Sequence, residues 1–181
     1  MTYGWVLCTQ AGKRLVKGHG SCPGRPNSLR GEACGMLSAT LFTTLLKRYF
    51  QCTLTSTLLS YQSDNLELIK RQRDHQHYTH PYPNTTLKAE FDLTEMIHVL
   101  HRDHDLPSSF CHLKGHQDCD TAYSDLDLNA QLNVEADHLA AKFYDHPEAN
   151  FDARVLPNPS SPAQLVIAGI DVTSNYKTLL I

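Results

Sequence analysis

Four side chains in this sequence combine types and positions that suit metal or acid–base chemistry. Glu32 falls in the first turn of a predicted helix, Asp64 follows a predicted strand, and Asp137 lies on a later predicted helix. His116 lies on the loop before that last helix. Carboxylates are the hard oxygen ligands that divalent cations prefer, and a histidine can transfer protons near neutral pH. Taken singly, each carboxylate is more simply explained as a surface partner, a helix cap or a solvated charge.

The first part of the chain predicts a β-hairpin followed by a long helix. Strand-forming residues fill positions 3–9, a Gly-containing turn follows, and an alternating pattern resumes over 14–19. After a Gly/Pro loop, Ser28 is predicted to cap a helix that runs to about Phe50, because its apolar residues repeat with the helical period. Glu32 falls at the edge of that apolar stripe, so its carboxylate is expected on the core side.

The remaining elements place Asp64, His116 and Asp137. Alternating Thr/Ser and Leu predict a strand from Leu54 to Tyr61, with Asp64 just beyond its end. The elements predicted next are a helix over 66–73, a polar insertion over 74–90, a helix from the capping-box-like pair Asp92 and Glu95 to His101, a strand over 110–114, an acidic loop that contains His116, and a helix over 126–144. This order predicts an α/β domain with a mixed sheet flanked by helices.

Length and composition favour one globular domain. With 181 residues, of which 41 % are apolar, the chain has material for a single sizeable core, placed here in residues 1–146. Residues 147–181 are predicted to form a Pro-rich linker and a strand-like extension. No apolar run approaches the ~20 residues that span a bilayer, and positions 1–9 lack the pattern of a signal peptide. We therefore expect neither a membrane nor a secreted protein, but an intracellular one whose compartment is open.

The charges are divided unevenly along the chain. Residues 1–73 carry ten Lys/Arg and three Asp/Glu, whereas residues 74–181 carry six Lys/Arg and sixteen Asp/Glu. A basic half suits phosphate contacts, and clustered carboxylates suit a divalent cation. The alternative is that these charges spread over a solvated surface.

The cysteines and histidines give no zinc or redox signature. The six cysteines form no CxxC pair, so free thiols are expected. The eleven histidines show no HExxH spacing. Most of them lie among polar residues, so we expect them on the solvated surface.

Five stretches together resemble one known family. The most specific are a strand ending in Lys-Gly-His and a helix with Asn-x-x-Ala-Asp-x-Leu-Ala. In full, the matching stretches are Thr2-Tyr-Gly-Trp-Val-Leu7, Ser28-Leu-Arg-Gly-Glu-Ala33, Ser63-Asp-Asn65, His112-Leu-Lys-Gly-His-Gln117 and Asn133-Val-Glu-Ala-Asp-His-Leu-Ala140. Over residues 2–146 the chain resembles the type-1 ribonuclease H domain, particularly the version carried in retroelement reverse-transcriptase polyproteins.

The resemblance implies cleavage of the RNA strand of an RNA–DNA hybrid with two Mg²⁺ ions, by a module of a larger polyprotein. Glu32, Asp64 and Asp137 would be the metal ligands, and His116 would assist proton transfer or product departure. Ribose 2′-OH groups would identify the RNA strand. The candidates for phosphate contacts are the basic side chains Lys13, Arg14, Lys17, Arg25 and Arg30.

One departure from the family affects both sheet and site. The family's first strand, which carries the fourth, bridging carboxylate, has no counterpart before Tyr3. We therefore expect impaired activity, and two strands, residues 3–9 and 54–61, without their shared neighbour. The segment 164–172 is a candidate to fill that gap beside residues 3–9, with packing elsewhere as the alternative. The competing functional hypotheses are a catalytically inert ribonuclease H-like remnant and an unrelated α/β metal-binding interaction domain.

Overall fold

Eight helices and strands follow the predicted order ββαβααβα, and two short strands lie in the segment for which a single strand-like stretch was predicted. The computed structural model describes residues 1–22, 24–51, 58–77, 88–144, 166–167 and 170–172. Its elements are β1 (Thr2–Cys8), β2 (Arg14–Ser21), α1 (Ser28–Phe50), β3 (Leu59–Ser63), α2 (Leu66–His75), α3 (Phe91–Asp103), β4 (Ser108–His112), α4 (Leu128–Tyr144), β5 (Val166–Ile167) and β6 (Ile170–Asp171). The chain is thus a mixed α/β protein with four described helices.

The described strands form three separate two-stranded sheets. β1 pairs antiparallel with β2, as the predicted hairpin requires, and β3 pairs parallel with β4. No described strand hydrogen-bonds to the free edges of β1 and β3, so the expected single mixed sheet is divided at that point. β5 pairs antiparallel with β6, so the idea that this segment lies beside β1 is wrong for the described residues.

Helix α1 carries the core and contacts both larger sheets. Its N-terminus is capped by Asn27, whose Oδ1 accepts a hydrogen bond from the Arg30 backbone N–H at 2.9 Å. Ser28, the predicted cap, is instead the first helical residue. The buried apolar residues of α1 pack with those of α2, α3 and β4 in one cluster that includes Ala33, Met36, Leu37, Leu68, Ile69, Ile97 and Phe110.

Strand β1 is covered by a helix on each face. Because successive side chains of a strand point to opposite faces, Trp5 reaches α1, where its Nε1 donates to Ser38 Oγ at 3.0 Å. Gly4 faces α4, and a Cβ there would clash with the Ala136 carbonyl oxygen. Gly4 therefore allows the helix that carries Asp137 to lie directly on the strand.

The start of α3 differs from the prediction, and a buried ion-pair network lies there. Asp92 does not cap the helix but lies in its first turn, after Glu90, which has a left-handed φ of 56°. Glu90 Oε2 accepts from Arg30 Nη1 at 2.5 Å, and Asp92 Oδ2 accepts from Arg30 Nη2 at 3.1 Å. Asn27 Nδ2 also donates to Glu90 Oε1 at 2.7 Å. The loop before α1 and the start of α3 are therefore held by one buried guanidinium.

Several boundaries differ from the sequence predictions by a few residues. β3 starts at Leu59, and residues 54–57 of the predicted strand lie outside the described residues. β4 ends at His112 rather than Lys114, and α2 continues to His75. The predicted domain boundary at residues 146 and 147, and most of the polar insertion, also fall outside the described part. No helix among the described residues is long and apolar enough to cross a membrane.

Two of the six cysteines are joined, contrary to the expectation of free thiols. Cys22, after the end of β2, forms a disulfide with Cys34 on α1. Both residues are buried. The two cysteines do not have CxxC spacing because one lies after a strand and the other on a helix. The packing of these two elements, which brings the cysteines together, cannot be seen in the linear sequence. Cys8, Cys111 and Cys119 are free.

Candidate functional site

Glu32 lies on α1 beneath the end of β3. It is in the second turn of the helix rather than the first, since no acidic residue falls in the first turn. Ser63 Oγ donates a hydrogen bond to Glu32 Oε2 at 2.9 Å. Burial first, and then the charges of Asp64 and Asp137, raise the pKa of Glu32, which lies at about 7 although the Ser63 hydrogen bond partly opposes them. Glu32 is thus poised to exchange a proton near neutral pH.

Asp64 follows β3 and does not cap the next helix. The cap of α2 is Asn65, whose Oδ1 accepts from the Leu68 backbone N–H at 3.1 Å. This removes the helix-cap explanation for Asp64. Its backbone carbonyl oxygen lies 3.1 Å from Nε2 of His112, the last residue of β4. The Asp64 carboxylate is therefore left available at the C-terminal edge of the parallel β3–β4 pair.

Asp137 approaches the same region from α4. Burial raises its pKa first, followed by the charge of Asp64, while His116 lowers it. Asn133 Nδ2 lies 3.5 Å from Asp137 Oδ2, a weak contact one helical turn away. His116, at the start of the loop after β4, has a left-handed φ of 53°. The residues singled out in the sequence therefore interact electrostatically across three elements.

Charge interactions link the three carboxylate positions. Glu32 and Asp64 are 32 residues apart and Asp137 is 73 residues further on, yet the charges of Asp64 and Asp137 both raise the pKa of Glu32, and the charge of Asp64 raises that of Asp137. Neighbouring like charges create a local negative potential, which a cation relieves. The structure thus gathers negative charge at this end of α1, on residues that are half-buried or exposed to solvent.

The donor set fits a hard divalent cation by chemistry and charge. Mg²⁺ prefers carboxylate oxygens, and this region has three carboxylates and no cationic Lys or Arg among the causes that shift Glu32 and Asp137. Among the described residues, however, no group of three or more His, Cys, Asp or Glu side chains is arranged to hold a metal ion. The carboxylates therefore fit Mg²⁺ as donors without forming a preorganised cage.

Three of the five basic candidates for phosphate contact are engaged within the protein. The Arg30 side chain is 1 % exposed and paired with Glu90 and Asp92, so its assignment to phosphate is wrong. Arg14 and Lys17 both pair with Glu135, each at 2.7 Å. Of the five candidates, Lys13 and Arg25 are the exposed ones for which the described residues provide no ion pair.

Histidines expected at the surface are partly in the interior. His75 is buried, and burial lowers its pKa to about 4. Burial also lowers the pKa of His101 to about 4, and the His101 ring packs 5.0 Å from that of Tyr61. His98 and His101 line a cavity of about 450 Å³ beside the start of β4, at the opposite end of that strand from Asp64. The i,i+3 spacing of His98 and His101 is the sequence signal for this shared helix face.

Two residues that support the carboxylates were missed by the sequence analysis. Ser63 donates to Glu32, and Gly115 lies against the Asp64 carboxylate. Ser63 directly precedes Asp64, and Gly115 directly precedes His116. Their position next to a candidate residue was therefore the sequence signal that could have pointed to them.

The chain was compared with protein-family models, with curated proteins and with solved structures, and none of the three comparisons found a match.

Proposed function

We propose that this chain is a ribonuclease H-type module that hydrolyses the RNA strand of RNA–DNA hybrids. The observation that carries the proposal is that the charges of Asp64 and Asp137 act on Glu32, and the charge of Asp64 acts on Asp137, although the three residues come from α1, the end of β3 and α4. Charged residues that only solvate a surface would not be expected to lie close enough to shift one another's pKa values. The sequence resemblance over residues 2–146 supplies the family, and it would make the chain a fragment of a retroelement-derived protein.

The proposed roles follow from what each side chain offers. Glu32, Asp64 and Asp137 would hold Mg²⁺, which at a pair of sites activates water and stabilises the leaving oxygen of an in-line displacement. Ser63 keeps the Glu32 carboxylate oriented by its hydrogen bond. His116 lies on the Asp137 side, where it would carry a proton to or from the reacting oxygens.

We propose that the activity is weak. Among the described residues, no group of three or more His, Cys, Asp or Glu side chains is arranged to hold a metal ion, so the three carboxylates would have to move into place to bind Mg²⁺. The same observation favours the alternative function, a catalytically inert ribonuclease H-like domain that binds nucleic acid.

A cleavage assay and a binding assay together test the proposal. The purified chain is incubated with a hybrid labelled on its RNA strand, in Mg²⁺ or in EDTA, beside Glu32→Gln and Asp64→Asn. We expect slow Mg²⁺-dependent cleavage that both substitutions abolish. The matched control is Glu67→Gln, an exposed glutamate on α2, which should cleave like the wild type.

The binding assay separates the alternative from complete failure. Hybrid binding without cleavage in Mg²⁺ favours the inert domain, and it does so conclusively if an N-terminal extension that supplies a carboxylate restores no cleavage. Absence of both binding and cleavage contradicts both functions.

A further inference from the structure

Gly115 and Asp64 approach each other more closely than any other residue type at position 115 would allow. A Cβ placed on Gly115 would clash with Asp64 Oδ2 and would lie 3.1 Å from Asp64 Cγ and 3.2 Å from Asp64 Cβ. The end of the Asp64 side chain therefore occupies the space where a Cβ at position 115 would lie.

The backbone conformation of Gly115 does not explain the glycine. The glycines of the described residues with a left-handed φ are Gly12 and Gly24, and Gly115 is not among them. An alanine could thus adopt the backbone angles of position 115. What it could not do is share the space that the Asp64 carboxylate occupies.

Hydrogen bonds hold the backbone on both sides of Asp64, so a backbone shift at Asp64 cannot relieve a clash with a side chain at position 115. Ser63 pairs in register with His112, and the Leu113 N–H donates to the Ser63 carbonyl oxygen at 3.1 Å. Asn65 N donates to Ser63 Oγ at 3.1 Å. Because this backbone is held, the place of the Asp64 carboxylate depends on the space that Gly115 leaves for it.

Gly115 also stands between two parts of the candidate site. It contacts the Asp64 carboxylate, and the residue after it, His116, acts on Asp137. The turn that follows β4 therefore carries both the contact with Asp64, at Gly115, and the histidine that acts on Asp137.

We propose that Gly115 is a positioning residue, which sets the place of the Asp64 carboxylate by leaving it room against the backbone. The consequence for metal binding rests on the proposed function, whereas the steric relation between the two residues does not. A side chain at position 115 forces Asp64 into another rotamer or pushes the turn away from β3.

A double-mutant cycle tests the steric relation without any assumption about activity. Urea unfolding is measured for Gly115→Ala in three backgrounds, with Asp64 unchanged, with Asp64→Asn and with Asp64→Ala. We expect Gly115→Ala to raise the unfolding equilibrium constant by roughly 5- to 30-fold with Asp or Asn at position 64. The effect should shrink severalfold with Asp64→Ala, which removes the clashing oxygen.

The matched control is the same substitution at a glycine with room. Gly35→Ala on α1 would place its Cβ 3.5 Å from the Gly4 carbonyl oxygen, an ordinary contact, and should not destabilise the chain. A Gly115→Ala chain as stable as the wild type, or one destabilised equally in all three backgrounds, would overturn the proposal.

A second measurement separates this proposal from the proposed function. Mn²⁺ binding, followed by calorimetry, should be weakened at least tenfold by both Gly115→Ala and Asp64→Asn and left unchanged by Gly35→Ala. If the wild-type chain binds no Mn²⁺ while the cycle shows the expected dependence on Asp64, the metal function fails and the role of Gly115 stands. If the wild type and Gly115→Ala bind Mn²⁺ equally, Gly115 does not position Asp64 for the metal.

Discussion

Replacing Glu32 by glutamine should stabilise the protein at high pH and leave its stability unchanged at low pH. Burial, together with the charges of Asp64 and Asp137, raises the pKa of Glu32 from 4.5 to about 7 in the folded chain. The folded state therefore binds this proton more tightly than the unfolded state does. With Glu32 protonated, below pH ~4, the free energy of unfolding has its full value. It falls as the pH rises from 4.5 towards 7, because the folded chain must then hold an ionised Glu32.

The size of the effect follows from the pKa shift. At about 1.4 kcal/mol per pKa unit, a shift from 4.5 to about 7 corresponds to roughly 3 kcal/mol of lost stability above neutral pH. Glutamine keeps the shape and an acceptor for the Ser63 hydroxyl but carries no charge. The variant should therefore gain nothing at pH 4 and up to roughly 3 kcal/mol at pH 8.

Urea unfolding of the wild type and Glu32→Gln, at intervals between pH 4 and pH 9, measures this difference. The control Glu67→Gln removes an exposed glutamate whose pKa the hydrogen bond from Arg71 lowers, so it should lose about 0.5 kcal/mol or less at high pH. Added Mg²⁺ should reduce the gain of Glu32→Gln, since a cation favours the ionised carboxylates. A gain independent of pH, or a Glu32→Gln chain less stable than the wild type at pH 8, would refute the reasoning.

Three further substitutions test the interactions around the site. Arg30→Met leaves the buried Glu90 carboxylate without its cationic partner and should cost about 3–5 kcal/mol in urea unfolding. The control Arg102→Met, at a half-exposed residue, should cost about 0.5 kcal/mol or less. Cys22→Ser with Cys34→Ser, or reduction of the wild type, should lower the unfolding free energy by about 3 kcal/mol, because the disulfide closes a loop between residues separated by 12 positions. Hydrogen bonds from Lys17, Tyr123 and Arg14 outweigh burial and lower the pKa of Glu135 to about 2, so Glu135→Gln should cost roughly 2 kcal/mol at pH 7 and less at pH 3.

Local sequence patterns predicted the elements well and their ends less well. The hairpin, α1 and α4 are where periodicity and turn residues placed them, because those signals act within a few residues. The cap of α1 is Asn27 instead of Ser28. Both residues are good caps in isolation, and Asn27 can in addition donate to Glu90, 63 residues away. A distant partner thus decided between two locally equivalent choices.

Long-range partners explain the larger errors. Arg30 looked like a surface base because nothing near it in sequence neutralises it, but Glu90 and Asp92 do so in the folded chain. Cys22 and Cys34 were expected to be free for the same reason. Charge pairs and disulfides depend on which elements pack together, and a single sequence does not state this.

Sequence order predicts the approach of two of the candidate carboxylates, because each lies near the end of an element. Asp64 follows β3, and Glu32 is near the start of α1, so the topology alone brings them to the same edge. Asp137 lies in the middle of α4, so its position depends on how that helix packs. The supporting contacts of Ser63 and Gly115 were not predictable, since they depend on side-chain distances of about 3 Å. Sequence order thus predicts which candidate residues approach one another, and packing decides the distances between them.

The first two turns of α1 hold Glu32 in place although the sheet beside it is divided. Arg30 ties the helix to the start of α3, Ser63 ties Glu32 to β3, and the disulfide at Cys34 ties the helix to the end of β2. One side of the divided sheet is thus bonded to α1 covalently and the other by a hydrogen bond to the candidate site. Because the free edges of β1 and β3 exchange no hydrogen bonds, these ties act together with the Trp5–Ser38 hydrogen bond and the apolar packing of α1 to position Glu32 relative to each sheet.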